Sequence, residues 1–197
     1  RQSTLGRRPH VYPACLGGKS WPEVDNIRLV DDWKNHPPEA LWRRSIGAGW
    51  SGFAVVGNRA ITQEQRGPSE LVVAYDVSTG KPLWYHSDPV RWDPDGGGAL
   101  GGVGPRATPT VDDGRVYTHG ATGILNCLDL ITGEAIWSHD TLAKHQSSNV
   151  AWGKAGSPLL VDDLVVVSVG GQFEIPCGIG GVLQGTGDGE FHLFGTA

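Results

Sequence analysis

The residues best placed for binding chemistry are aromatic and cationic side chains in the connections between apolar runs. Three connections, residues 44–51, 89–107 and 142–156, contribute three tryptophans and three basic side chains: Trp50, Trp92, Trp152, Arg106, His145 and Lys154. Aromatic rings beside cations suit a flat anionic quinone or an acidic peptide. The alternative interpretation is structural: the tryptophans cap the ends of folded units and the cations are solvated.

Other candidate chemistry has a simpler structural explanation. The glycine-rich segment 93–106 lacks the spacing of a phosphate-binding loop and is expected to be a flexible connection. The histidines show no metal-ligand spacing, and the pairs Asp112–Asp113 and Asp162–Asp163 fall in turn sequences, where aspartate is favoured for local hydrogen bonds. The chain contains no G-x-S-x-G segment either. We therefore assign no catalytic residues and no metal ligands.

The composition is that of a folded domain without the charge pattern of a nucleic-acid-binding protein. The 197 residues are 39% hydrophobic and 19% charged, with a net charge of −5. These values exclude disorder and give no electrostatic reason to expect nucleic acid as a partner. Cys15, Cys127 and Cys177 are widely spaced, which argues against a disulfide framework or a CxxC metal site. No apolar run approaches ~18 residues, so no transmembrane segment is expected.

A repeated segment indicates which elements position the connections. Residues 71–86 read LVVAYDVSTGKPLWYH, and residues 124–139 read ILNCLDLITGEAIWSH. Both contain Asp-x-x-Thr-Gly-x-x-x-Trp, formed by Asp76, Thr79, Gly80 and Trp84 and then by Asp129, Thr132, Gly133 and Trp137. The aspartate can accept hydrogen bonds from backbone amides of a turn, and the glycine can take the positive φ that closes it. Each segment therefore predicts a β-hairpin.

A second hairpin precedes the repeated one. Residues 108–118 read TPTVDDGRVYT, residues 157–168 read SPLLVDDLVVVS, and residues 52–62 are a weaker copy. Four antiparallel strands recurring every ~40–55 residues are typical of a β-propeller blade. We predict an all-β fold with about two complete blades, partial flanking ones and an incomplete ring. After an irregular lead-in, 1–37, the repeats fill residues 38–197, with units at about 50–87, 106–140 and 156–197.

The pattern A/C-x-D-x-x-T-G-x-x-x-W resembles the tryptophan-docking motif of pyrroloquinoline-quinone-type (PQQ-type) propeller repeats, found in exported bacterial proteins. The similarity runs from about Pro38 to Gly171. It implies that Trp84 and Trp137 pack between neighbouring blades, and Trp42 lies where the last strand of a preceding blade would end. The motif does not recur after Gly171, where the segment TGDG at 186–189 is the nearest match, so the last unit is expected to be degenerate. Closed propellers have about 4–8 blades, so we expect a fragment or a self-assembling chain.

The resemblance leaves functions of different classes open. The first is a non-catalytic scaffold for protein partners, similar to the outer-membrane assembly lipoproteins. The second is a fragment of a quinoprotein alcohol dehydrogenase that uses PQQ with calcium, although no position here matches its catalytic base, calcium ligands or adjacent cysteines. The third is carbohydrate binding through the tryptophans of the connections. The family also implies export to the periplasm or cell envelope.

Overall fold

The computed structural model describes residues 31–94, 102–144, 146–161, 164–169 and 191–195, with the backbone alone for residues 161 and 191–195. Several features singled out in the sequence lie outside these residues. They are most of the predicted lead-in, the central part of the glycine-rich segment, Asp162–Asp163, Cys15, Cys177, His145 and the TGDG segment. Within the described part, no helix is long and apolar enough to cross a membrane.

The first two sheets have the same four-stranded antiparallel topology. The first, blade 1, has the order β1-β2-β3-β4, and the second, blade 2, has the order β5-β6-β7-β8. Blade 1 consists of β1 (Ala54–Val56), β2 (Arg59–Arg66), β3 (Ser69–Asp76) and β4 (Pro82–Asp88). Blade 2 consists of β5 (Thr110–Asp112), β6 (Arg115–His119), β7 (Ile124–Asp129) and β8 (Ala135–Asp140). The predicted all-β architecture of four-stranded antiparallel blades is confirmed.

The third sheet is different. After the four-residue helix α1 (Thr141–Lys144), it contains β9 (Leu159–Val161), β10 (Leu164–Ser168) and β11 (Phe191–Gly195) in the order β11-β10-β9. We call it blade 3. The described residues form three sheets, fewer than the roughly 4–8 blades of a closed propeller.

The core lies between the sheets, because strand side chains alternate between two faces and each face of a middle blade meets a neighbour. One cluster joins blades 1 and 2 and contains Ala54, Ile61, Val72, Ala74, Trp84, Val111, Val116 and Leu128. A second joins blades 2 and 3 and contains Tyr117, Leu125, Cys127, Val165, Val167 and Val169. In β7 two adjacent residues point to opposite faces, since Leu128 belongs to the first cluster and Cys127 to the second.

Hydrogen bonds also join each blade to the segment that leads into the next one. The Thr110 hydroxyl of blade 2 donates to the Pro158 carbonyl oxygen next to blade 3, at 2.5 Å. At the other seam, the Gln63 amide of blade 1 donates to the Ala107 carbonyl oxygen, at 2.6 Å. The blades therefore share both apolar and polar contacts.

Candidate functional site

The turns between the third and fourth strands are closed by the aspartates of the repeat. Asp129 Oδ1 accepts hydrogen bonds from the backbone N–H groups of Ile131 and Thr132, both at 2.8 Å. Asp76 Oδ1 accepts from the Thr79 N–H at 2.8 Å and from the Ser78 hydroxyl at 2.6 Å. Hydrogen bonds from Ser78 and Thr79 lower the pKa of Asp76 to about 2. These exposed carboxylates are thus engaged within their own turns.

Trp84 and Trp42 each contact a turn between the third and fourth strands of a blade. Trp84 Nε1 donates to the Leu130 carbonyl oxygen of blade 2 at 3.0 Å, and its ring covers Gly133, where a Cβ would overlap the indole. Trp42 makes the same pair of contacts on blade 1, with Nε1 2.7 Å from the Val77 carbonyl oxygen and its ring against Gly80. Both glycines have positive φ, 67° at Gly80 and 74° at Gly133, a backbone conformation that glycine adopts without strain.

Trp137, the tryptophan of blade 2, has different surroundings. Its ring is half-buried beside Tyr117, with the ring centroids 6.1 Å apart, and packs on the cluster between blades 2 and 3. Its buried Nε1 has no hydrogen-bond partner in the part of the chain that the structure describes. The indole therefore keeps its apolar contacts without the hydrogen bond that Trp84 makes.

The connections that carry the predicted binding residues lie at one edge of the sheets. We call this edge, where β4 is joined to β5 and β8 to β9, the connection face. Trp50 N–H donates to the Pro105 carbonyl oxygen at 2.8 Å, and Lys154 N–H donates to the Ala121 carbonyl oxygen at 2.9 Å. The side chains of Trp50 and Trp152 are 68% and 49% exposed.

Trp92 differs from the other two tryptophans because it packs into the connection face. Its backbone N–H donates to Gln65 Oε1 at 3.1 Å, and its ring lies against Gly153. Its buried Nε1 has no hydrogen-bond partner among the described residues. The predicted group of three tryptophans thus divides into two exposed rings and one half-buried ring.

The predicted cations are engaged by backbone carbonyl oxygens. Arg106 donates to the carbonyl oxygens of Gly104 and Gly102, at 2.8 and 3.0 Å. Lys154 is only 5% exposed, and its Nζ donates to the Val169 carbonyl oxygen beside blade 3. Burial lowers the pKa of Lys154. The alternative of a solvated cation is therefore wrong for Lys154, because the connection from β8 folds back over the end of the sheet.

A buried histidine lies beside this lysine. His119, at the end of β6, is fully buried, with Nε2 3.4 Å from the Thr141 hydroxyl oxygen. Burial and the charge of Lys154 together lower the pKa of His119 to about 4. The ring is therefore neutral at physiological pH.

A polar cluster between blades 1 and 2, formed by Glu70, Asp88 and Asn126, was not predicted from the sequence. Glu70 and Asp88 are paired in the register of β3 and β4, and Asn126 Nδ2 in β7 donates to Asp88 Oδ2 at 2.7 Å. Glu70 is 4% exposed and Asn126 is 1% exposed. The only signal in the sequence was that Glu70 and Asn126 each adjoin apolar residues in a strand.

Neither the cluster nor the connection face forms a metal site of the usual composition. Among the described residues, no group of three or more His, Cys, Asp or Glu side chains could hold a metal ion.

Comparisons with known proteins support the resemblance to PQQ-type propeller repeats. A family model described as outer membrane protein assembly factor BamB matches residues 37–173. The chain is 31% identical over 148 residues to the outer membrane protein assembly factor BamB of Xanthomonas campestris, covering 72% of this chain and 33% of that protein. It is 33% identical over 105 residues to the quinohemoprotein alcohol dehydrogenase ADH-IIG of Pseudomonas putida, covering 53% of this chain and 14% of that enzyme.

Among solved structures, the quinohemoprotein alcohol dehydrogenase of Comamonas testosteroni matches with a TM-score of 0.43 and 21% identity, over 64% of this chain and 17% of that one. The chain thus spans a third or less of the length of the curated relatives it matches. Because the family model matches more than half of the sequence, the chain belongs to the PQQ-like β-propeller repeat family represented by the assembly factor BamB.

Proposed function

We propose that this chain is part of a non-catalytic propeller that binds protein partners in the cell envelope. The main observation in support of this proposal is the exposure of Trp50 and Trp152 on the connection face. Tryptophan is enriched in protein interfaces, because its large ring buries much apolar area at low entropic cost and its N–H can find a polar partner. Loops on a rigid sheet scaffold are also where propellers present binding residues.

The hydrogen bonding around the two rings supports a preformed surface. Trp50 N–H is held by Pro105, and the indole ring lies against Gly102. The turn that contains Trp152 is closed by a hydrogen bond from the Gly153 N–H to the Val150 carbonyl oxygen at 2.9 Å. A backbone that is already ordered loses little conformational entropy when a partner binds.

Photocrosslinking in the cells that produce the protein tests the proposal. A photoreactive phenylalanine analogue replaces Trp50 or Trp152 in turn, and a third variant carries it at Ile131, which is 60% exposed in the turn at the opposite edge of blade 2. We expect the same protein adducts from positions 50 and 152 and none of them from position 131. Equal labelling from all three positions, or no protein adduct, contradicts the proposal.

The second candidate is a part of a PQQ-dependent dehydrogenase, and the similarity to the Pseudomonas putida enzyme favours it. A bound quinone would supply two-electron oxidation of an alcohol. Titration with PQQ and calcium, followed by tryptophan fluorescence and by dye-linked alcohol oxidation, distinguishes this function from a scaffold. Quenching with turnover would replace the scaffold proposal, whereas quenching by glycans alone would favour carbohydrate binding through the exposed rings.

A further inference from the structure

The polar cluster between blades 1 and 2 contains more acceptor oxygens than donors. Glu70 Oε1 and Asn126 Oδ1 are buried and have no hydrogen-bond partner within the described residues. The other carboxylate oxygen, Oε2, accepts from the Thr122 hydroxyl at 3.4 Å and lies against Gly120. A buried acceptor without a donor loses its hydration without compensation, which is unfavourable.

A single proton corrects this imbalance. Asn126 has turned its amide nitrogen toward Asp88, so its oxygen is the atom left unpaired. A hydroxyl on Glu70 Oε1 would turn one unpaired acceptor into a donor in a cluster that lacks donors. It would also remove the repulsion between two carboxylates that are directly paired across β3 and β4.

We propose that Glu70 carries a proton in the folded protein at neutral pH and donates it to the Asp88–Asn126 pair, so that the seam between blades 1 and 2 weakens as the pH rises. The atoms belong to three strands in two blades. Loss of the proton therefore acts on the contact between blades and not on one strand alone.

The electrostatic surroundings of Glu70 agree with this assignment. The pKa of Glu70 is raised to about 7, because burial and the charge of Asp88 outweigh the hydrogen bonds from Ala121 and Thr122, which lower it. The charged and titratable groups on the neighbouring elements are Asp88 on β4, His86, whose Nε2 lies 3.3 Å from Asp88 Oδ1, and Arg106 on the connection, whose charge interacts with Glu70.

The direction of the pH effect follows from the number of bound protons. Between pH 4.5, the ordinary pKa of glutamate, and about 7, the folded chain keeps the Glu70 proton while the unfolded chain loses it. Stability from this group is thus complete below pH 4.5 and is lost as the pH rises through about 7. The lowered pKa of His119 has the opposite effect, because the unfolded chain binds that proton first as the pH falls from 6.5 toward about 4.

Because these two groups oppose each other, the difference between variants is the informative quantity. The melting temperature of the full chain is measured from pH 4.5 to 8 for the parent and for Glu70→Gln, which keeps a donor at every pH. We expect equal values at pH 4.5 and a Glu70→Gln advantage of roughly 5–10 °C at pH 8. A difference that stays constant with pH overturns the proposal.

Two control variants separate Glu70 from other titrating groups. The exposed Glu134→Gln should leave the profile of the parent unchanged. Histidine also changes charge between pH 5 and 8, and so His86→Gln tests whether the ring beside Asp88 is responsible. If His86→Gln abolishes the pH dependence that Glu70→Gln leaves intact, the proton is on the histidine and the proposal is wrong.

Infrared spectroscopy detects the proton directly and does not depend on how stable the variants are. We expect the parent at pH 6 to show the carbonyl stretch of a protonated carboxylic acid, and Glu70→Gln to lack it. Asp88→Asn, which removes the neighbouring charge, should move the loss of this band to lower pH. Absence of the band in the parent, or a band that persists in Glu70→Gln, overturns the assignment.

Discussion

At the scale of single residues, two glycines with the same backbone conformation have different neighbours. Gly133 and Gly114 have φ of 74° and 76°, but only Gly133 lies beneath a tryptophan ring, whereas nothing lies within 4 Å of a Cβ at Gly114. The backbone cost of an added side chain is therefore common to both positions, and the collision with the ring is specific to one.

This comparison predicts the effect of alanine at both sites. Gly114→Ala should cost about 1–2 kcal/mol, the penalty for a left-handed non-glycine residue. Gly133→Ala should cost an additional ~1–3 kcal/mol, because Trp84 must move. Urea unfolding of the two variants measures the difference. Equal losses would mean that the contact between Gly133 and Trp84 contributes nothing to stability.

At the scale of elements, Trp84 connects β4 to the turn between β7 and β8 of the next blade by a hydrogen bond to Leu130. The Nε1 of Trp137 has no partner within the described part of the chain. The turn motif does not recur in the sequence after Gly171.

Tryptophan-to-phenylalanine variants test this difference. Trp84→Phe loses a hydrogen bond and leaves the Leu130 carbonyl oxygen unpaired, so it should be ~1–2 kcal/mol more destabilising than Trp137→Phe. Truncation to alanine should cost ~3–5 kcal/mol at either position, because both rings lie in a seam. Thermal melts check both expectations, and alanine variants that melt like the parent would refute the role of these rings in the seams.

At the scale of the whole molecule, the blades are coupled through shared cores. Blade 2 contributes side chains to both clusters, and blade 3 covers one of its faces with Val165 and Val167. A perturbation in blade 3 is therefore expected to reach β7, since cooperative units extend over such interfaces.

A buried charge in blade 3 tests the coupling. Val167 is 2% exposed in the second cluster, whereas its neighbour Val166 points to the other face of β10 and is half-buried. Val167→Asp should accelerate hydrogen exchange of the β7 amides, residues 124–129, and Val166→Asp should not. Unchanged β7 exchange in Val167→Asp would show that blades 2 and 3 unfold independently.

The sequence by itself determined the blade architecture, because the repeat encodes local chemistry. The spacing of Asp129, Gly133 and Trp137 predicts a turn within a β-hairpin. The alternation of apolar residues predicts which face of each strand is buried. The aromatic and cationic residues of the connections were also identified, since long connections interrupt the repeat. These inferences depend on neighbours in sequence.

Only the tertiary structure decided what the connections and seams contain. In the structure Lys154 is buried beside His119, and the half-buried Trp92 differs from the exposed Trp50 and Trp152. Glu70 and Asn126 both lie next to Asp88. Glu70 and Asn126 belong to different blades, and their burial and missing partners arise from the approach of two sheets. This approach cannot be predicted from a local sequence pattern, because the energy of a buried polar group depends on the distant residues that surround it.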